Sequence, residues 1–400
     1  MFLKQVRIEN FRSIAACDVP LGPLTVLAGP NAAGKSNFLD ALRFVRDALS
    51  STPALALEQR GGLEEVLHRT PAGRQATFFR ICLDLSISAP GLRGDPRTFD
   101  ASYLVEVGAD PEEDGRPAVR REELSVPGGT YLFSAPPTPG QEPHESWREH
   151  LVLSRLPKEK HEFTQVFRRL HSMRFYELHT PVLRDIDQTR RQRGDIVLGE
   201  RGERLARVLA SLARSTPWAK EAIDGYISTM IENAAGLDGK EVDEAGLAYV
   251  VGRFHEDGSH EEVDRRSLSD GTLRLAGVLA ALFQPRALKG SIPFIGIEEP
   301  EISLHPPMLG ALYDALLAAS HNTQVMVTTQ SADLLDNPAA DPDHLLVLRD
   351  DGHGSTIGPI DETGRRLLTE GVLTLPELLR SGEMRPVPGL PHSRQEGDPR

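Results

Sequence analysis

The chain has 400 residues, 39% hydrophobic and 26% charged, a globular composition with room for one large or two ordinary domains. No run approaches the roughly 18 uninterrupted apolar residues of a membrane-spanning helix, and two cysteines, Cys17 and Cys82, are too few for a disulfide framework. A formal charge of −13 argues against a uniformly basic coat for nucleic acid.

The first residues, Met1 to Val6, read as strand and lack the apolar core of a signal peptide, so the cytoplasm is the expected compartment and no membrane partner is expected. Alternation continues over residues 2–11, and Leu24 to Ala28 form a second apolar run. A helix follows, with Phe38, Leu42, Val45 and Leu49 on one face. Phe79, Ile81, Leu83, Leu85 and Ile87 alternate with polar residues, as do Tyr103, Val105 and Val107. With Leu124 to Val126 and Tyr131 to Phe133 they predict an antiparallel layer between about 76 and 134. Ser134 to Gly140, rich in proline, is a loop by composition. Residues 145–235 read as helical: Leu205, Val208, Leu209 and Leu212 make one apolar face, and Thr216-Pro217 opens a helix expected to run to Gly236. Strand signals return at Leu247 to Phe254. Beyond them come a buried helix from Leu273 to Phe283, a short strand before Glu298, a helix near 307–319, and strands at Gln324 to Thr328 and Leu345 to Leu348. The charged, proline-rich end from about Ser381 is expected to be disordered. The division that follows is 1–134, a mostly helical insertion at 135–245, a third unit at 246–380, and a tail at 381–400.

Gly29-Pro30-Asn31-Ala32-Ala33-Gly34-Lys35-Ser36 is a complete phosphate-binding loop between a strand and a helix. Backbone N–H groups of such a loop and of the helix N-terminus converge on phosphate oxygens, and the helix dipole favours the negative charge. Gly29 and Gly34 allow close approach, Lys35 reaches the β- and γ-phosphates, and the Ser36 hydroxyl takes Mg²⁺. Asn37 continues the set. A second signal is Phe294-Ile295-Gly296-Ile297-Glu298-Glu299-Pro300-Glu301, an apolar strand ending in adjacent carboxylates. Glu298 suits Mg²⁺, and Glu299 suits the attacking water, since neighbours at a strand end point in different directions. Between these lies Leu268-Ser269-Asp270-Gly271-Thr272, by itself a common helix start.

The order of these three motifs resembles the ABC-type ATPase heads of the RecF, SMC and OLD proteins, and among them stand-alone bacterial predicted ATPases with no appended nuclease. The resemblance implies an α/β P-loop NTPase head with a mixed central sheet, an antiparallel β layer and a helical insertion. The loop would be Walker A, Glu298-Glu299 Walker B, and Ser269-Asp270-Gly271 the signature. Glu301 to Pro306 would be the D-loop segment. Val6 to Ser13 is similar to the class's first strand, where an arginine matching Arg12 often lies near the nucleotide. After Val327 the class usually has Thr-His-Ser. Here Thr328-Thr329-Gln330-Ser331 places at Gln330 an amide that can donate to phosphate but cannot become a cation near neutral pH.

What the resemblance implies for activity is ATP binding and Mg²⁺-dependent hydrolysis by a homodimer. Lys35 and Ser36 of one copy and Ser269 and Gly271 of the other would sandwich each ATP. Two readings stay open. One is a switch acting on DNA in repair or anti-phage defence. The other is an ATP-dependent interaction module that recruits a separately encoded effector, such as a nuclease, without binding DNA directly. A transporter ATPase shares the loop and signature, but Asn10-Phe11-Arg12-Ser13 and Glu-Glu-Pro-Glu look RecF-like. A local basic track for DNA would comprise Arg168, Arg169, Arg174, Arg184, Arg190, Arg191 and Arg193.

Overall fold

The structure, a computed structural model, describes residues 2–70, 73, 75–90, 96–110, 115–134, 149–155, 161–188, 196–242, 246–256, 259–352 and 354–387. Its strands are β1 (Leu3–Phe11), β2 (Ile14–Pro20), β3 (Leu24–Ala28), β4 (Phe78–Pro90), β5 (Pro96–Ala109), β6 (Pro117–Val126), β7 (Gly129–Ser134), β8 (Arg174–Tyr176), β9 (Ala234–Val242), β10 (Leu247–Glu256), β11 (Ser259–Asp264), β12 (Phe294–Glu298), β13 (Gln324–Thr329), β14 (Leu345–Asp350) and β15 (Ser355–Gly358). The described helices of eight residues or more are α1 (Lys35–Ser50), α2 (His161–His171), α3 (Leu205–Ser215), α4 (Pro217–Met230), α5 (Asp270–Phe283), α6 (Pro306–Ser320) and α7 (Glu362–Thr369).

The central sheet runs β15-β14-β3-β13-β12-β8, parallel except for the antiparallel edge pair β14–β15. Every residue of β3 and β13 is buried, as expected of strands covered on both faces. Successive side chains point to opposite faces. Val26, Ala28, Ile295, Ile297, Val325 and Val327 therefore join one core with α3, α4, α5 and α6. Leu27, Phe294 and Met326 join the other, with Phe38, Leu42 and Val45 of α1 and the inner face of the second sheet. That sheet, β2-β1-β4-β5-β6-β7, is antiparallel throughout, so α1 lies between two sheets. A third sheet, β11-β10-β9, is also antiparallel.

The architecture is thus a mixed α/β P-loop head with an antiparallel layer. Several local expectations need correction. The segment 135–245, expected to be mostly helical, also carries strands: β8 is an edge strand of the central sheet, and β9 pairs with β10. Helix α4 ends at Met230 rather than Gly236. Asn233, at φ 60°, turns the chain, and Gly236 sits in β9, where a Cβ would lie 2.2 Å from Asp224 Oδ1. The glycine marks a close approach, not a helix stop. Strands β2, β11 and β15 were not predicted. Residues 381–387 are placed, with Val387 N–H donating to Pro359 O at 2.8 Å, so the tail is held at its start. Residues 388–400, most of the Ser134 to Gly140 loop, and Arg190, Arg191 and Arg193 lie outside the described residues. Among the described residues no helix is long and apolar enough to cross a membrane.

Candidate nucleotide-binding site

Strand β3 delivers the loop at the C-terminal edge of the central sheet. Gly29 packs against β14: a Cβ there would lie 2.3 Å from Leu348 O. Gly34 has φ +100°, and its Cβ would meet Ser355 Oγ at 2.2 Å and Ser13 Oγ at 2.6 Å. Both positions need glycine, the first for space and the second also for conformation. Ala32 adopts φ 63°. Pro30, Asn31 and Ala32 are exposed at the rim, while Ala33 is buried beneath them. Lys35 is buried, and its Nζ donates to Gly29 O at 2.9 Å and Pro30 O at 2.8 Å. Burial pulls its pKa below the usual lysine value, and Glu299 and Glu301 oppose that shift. Asn37 Nδ2 donates to Ser13 Oγ at 2.7 Å.

Glu298 and Glu299 arrive at the end of β12, which pairs with β13, which pairs with β3. Ser36 Oγ donates to Glu298 Oε2 at 2.7 Å. Arg43, one helical stretch further along α1, places a guanidinium nitrogen 3.7 Å from Glu298 Oε1. Burial raises the Glu298 pKa, while Ser36 and Arg43 pull it down. Glu299 turns away with φ +42°, its N–H bound to Thr328 O at 3.2 Å and Oγ1 at 3.1 Å. Gln330 Nε2 lies 3.4 Å from Glu299 Oε2, a long contact at the edge of hydrogen bonding. So the structure brings Lys35, Ser36, Glu298, Glu299 and Gln330 together from three separate stretches of sequence.

The donor set suits Mg²⁺. A hydroxyl and a carboxylate oxygen in contact are hard ligands, and Mg²⁺ ordinarily takes only one or two protein oxygens beside phosphate and water. No cluster of three or more His, Cys, Asp or Glu side chains able to cage a metal occurs among the described residues.

Arg12, at φ 50°, has its guanidinium 2.9 Å from Asp40 Oδ2 on α1. It walls a cavity of about 510 Å³ together with Ser13, Asn37, His68 and Asp350. The ring of His68 is fixed by an Nδ1 contact of 2.7 Å to Arg12 O. The Ser269-Asp270-Gly271 motif lies at the start of α5. Ser269 is its N-cap, accepting from Thr272 N at 3.1 Å. Asp270 Oδ1 accepts from Arg184 at 2.6 Å, and the same Arg184 nitrogen donates to Leu268 O at 2.9 Å. A Cβ on Gly271 would lie 2.4 Å from Ser303 O. This motif therefore packs on the segment that follows Glu298-Glu299, and these contacts run to Thr272, Arg184 and Ser303, not to the phosphate loop.

Two residues that carry site geometry were missed in the sequence. Glu301 was read only as part of the D-loop segment, yet it is 7% exposed and accepts from Thr329 Oγ1 at 2.5 Å. Its signal was the third carboxylate of Glu-Glu-Pro-Glu. Arg184 was read as part of a DNA track, and no local pattern links it to a motif 86 residues away. Of the other described members of that track, Arg169 donates to Gly290 O and Ser88 O, and Arg174 to His171 O and Met173 O, while Arg168 is exposed.

The family described as "AAA domain, putative AbiEii toxin, Type IV TA system" matches residues 119–336, more than half of the chain, and "AAA ATPase domain" matches residues 1–65. The chain belongs to the AAA ATPase family. Beyond that family, the chain resembles in its motif order and its fold the ABC-type ATPase heads of the RecF, SMC and OLD proteins. It is 49% identical over 43 residues, 11% of its length, to the OLD nuclease of Thermus scotoductus (strain ATCC 700910 / SA-01). It is 51% identical over 49 residues, 12% of its length, to the DNA replication and repair protein RecF of Trichlorobacter lovleyi (strain ATCC BAA-1151 / DSM 17278 / SZ). These matches span only 8% and 13% of those relatives' own lengths. The fold is similar to that of an SmcHead crystallised with the C-winged helix domain of ScpA, with a TM-score of 0.55 at 10% identity, over 92% of this chain and 100% of that one.

Proposed function

We propose that this AAA ATPase is a switch that binds and hydrolyses ATP with Mg²⁺, and that two copies close on nucleotide through Walker A of one and the signature of the other. The observation that carries the reading is the 2.7 Å contact between Ser36 and Glu298 beside Lys35, which puts a cation seat and a phosphate anchor in one place. Mg²⁺, when bound, neutralises developing charge on phosphate oxygens. Ser36 and Glu298 would hold it. Lys35 would exchange the carbonyls of Gly29 and Pro30 for phosphate oxygens, a charge-assisted and stronger pairing. Glu299 orients the attacking water, with Gln330 across from it. The nucleoside would lie in the cavity beside Arg12, Asn37 and His68.

Dimer closure is supported by the signature's layout: Ser269 sits at a helix start, where N–H groups favour anions, and its contacts within the chain leave the phosphate loop to another partner. Glu299→Gln should keep ATP affinity, slow hydrolysis by about 10²–10⁴-fold, and accumulate as an ATP-bound dimer on size exclusion. Wild-type turnover by that variant would remove the role given to Glu299. Lys35→Ala should abolish ATP binding by calorimetric titration; an unchanged isotherm would mean the loop is not the site.

The likeness to a DNA replication and repair protein supports a role on DNA, in repair or, on the motif resemblance, in anti-phage defence. The second reading, recruitment of a separate effector, is favoured by the −13 charge and by arginines of the basic track that are already bound to protein acceptors. DNA titrations over a salt series with and without ATP separate the two, since a DNA binder loses affinity steeply as salt rises.

A further inference from the structure

We infer that Glu301 is a positioning residue for the hydrolytic step: by gripping Thr329 it sets where Gln330 stands relative to Glu299. The inference rests on the reading that Glu299 orients the attacking water. Three contacts define the grip. Thr329 Oγ1 donates to Glu301 Oε1 at 2.5 Å and accepts from Ser331 N at 3.0 Å, so the chain is fixed on both sides of Gln330. Gly29 N–H donates to Thr329 O at 3.3 Å, which ties the same residue to the phosphate loop. On the opposite side, Thr328 holds the backbone of Glu299 in its left-handed conformation. The 3.4 Å gap between Gln330 Nε2 and Glu299 Oε2 is thus set by two clamps on adjacent threonines.

A purely architectural role would not call for a carboxylate here. Glu301 is buried, and Oε2 has no hydrogen-bond partner, an arrangement that costs free energy. What the carboxylate supplies is a strong acceptor for the Thr329 hydroxyl at the end of β13. Because the grip on Thr329 runs through Oε1, the amide oxygen of glutamine can keep it.

The test compares Glu301→Ala, Glu301→Gln, Thr329→Val and the double variant Glu301→Ala/Thr329→Val. Steady-state ATP hydrolysis and an independent ATP Kd are measured on the full chain. A displaced water-orienting group costs on the order of 10–100-fold in rate. Glu301→Ala and Thr329→Val should each lose kcat by that amount with Kd within about twofold of wild type. The double variant should be no slower than either single one, because one contact has been removed twice. Glu301→Gln should recover most of the loss. Full activity in Glu301→Ala or Thr329→Val, a Glu301→Gln as slow as alanine, multiplied losses in the double variant, or ATP affinity lost in step with kcat (Kd rising as kcat falls) would each overturn the inference while leaving the ATPase reading intact. A wild-type chain that binds ATP without hydrolysing it would overturn both.

Discussion

Glu298 carries opposing influences on one carboxyl group. Burial raises its pKa; the Ser36 hydroxyl and the Arg43 guanidinium lower it; burial wins. The sign follows directly. A raised value keeps the proton on to higher pH, and Mg²⁺ needs the ionised oxygen. Mg²⁺-supported ATP binding should therefore weaken as pH falls, starting above the ordinary carboxylate range. Arg43→Met removes a stabilising charge 3.7 Å away and should move that loss to still higher pH. ATP titrations at stepped pH, with Mg²⁺ and with EDTA, check this. A profile identical to wild type would show that Arg43 does not act on Glu298.

At the scale of elements, helix α5 presents the Ser269-Asp270-Gly271 motif proposed as the signature. Its seat is made by a glycine that touches backbone and by an arginine from another segment. Gly271→Ala would drive a Cβ to 2.4 Å from Ser303 O, and a backbone atom cannot swing aside as a side chain can. The variant should lose about 1–3 kcal/mol of stability, keep monomeric ATP binding, and fail to form the ATP-bound dimer in the Glu299→Gln background. Sedimentation with ATP reads the last outcome, and an undiminished dimer would place the signature outside the interface. The elements themselves were unevenly legible. Strand β3, the loop and α1 could be read because apolar spacing, glycines and lysine all agree locally. The Ser36–Glu298 contact was implied by motif order alone. Strand β9 was misread because Gly236 has two physical meanings, a helix stop or a place where another chain segment comes close, and the residue itself does not say which. Strand β8 spans only Arg174–Tyr176, too short for a period, and takes its place from neighbours in the sheet. Arg184 and Glu301 act across distance, and no spacing rule reports such contacts.

At the scale of the whole molecule, one amide joins the two large sheets. The Gln324 side chain accepts from Phe2 N at 3.2 Å and Leu3 N at 2.7 Å and donates to Leu3 O and Gly22 O, both at 2.8 Å. It stands at the first residue of β13 and binds the first residue of β1. Gln324→Leu has similar volume but strands four backbone groups, and should cost about 2–4 kcal/mol by urea unfolding. A loss under about 1 kcal/mol would mean that water replaces the amide and that the join lies elsewhere. The antiparallel layer was legible from alternation. Its covering of α1, and the third sheet at β9 to β11, were not, because both depend on which apolar faces meet and not on any one segment's pattern.

Strand β3 lies between β13 and β14, so the phosphate loop's own strand has no neighbour in its sheet until residues made some three hundred positions later arrive. On the ribosome the Gly29–Ser36 segment emerges early and waits. Long-range pairing of this kind is slow and leaves apolar strand edges uncovered meanwhile. Nascent chains halted before β13 should therefore be unable to retain nucleotide, which makes synthesis past β13 and β14 a precondition for nucleotide binding.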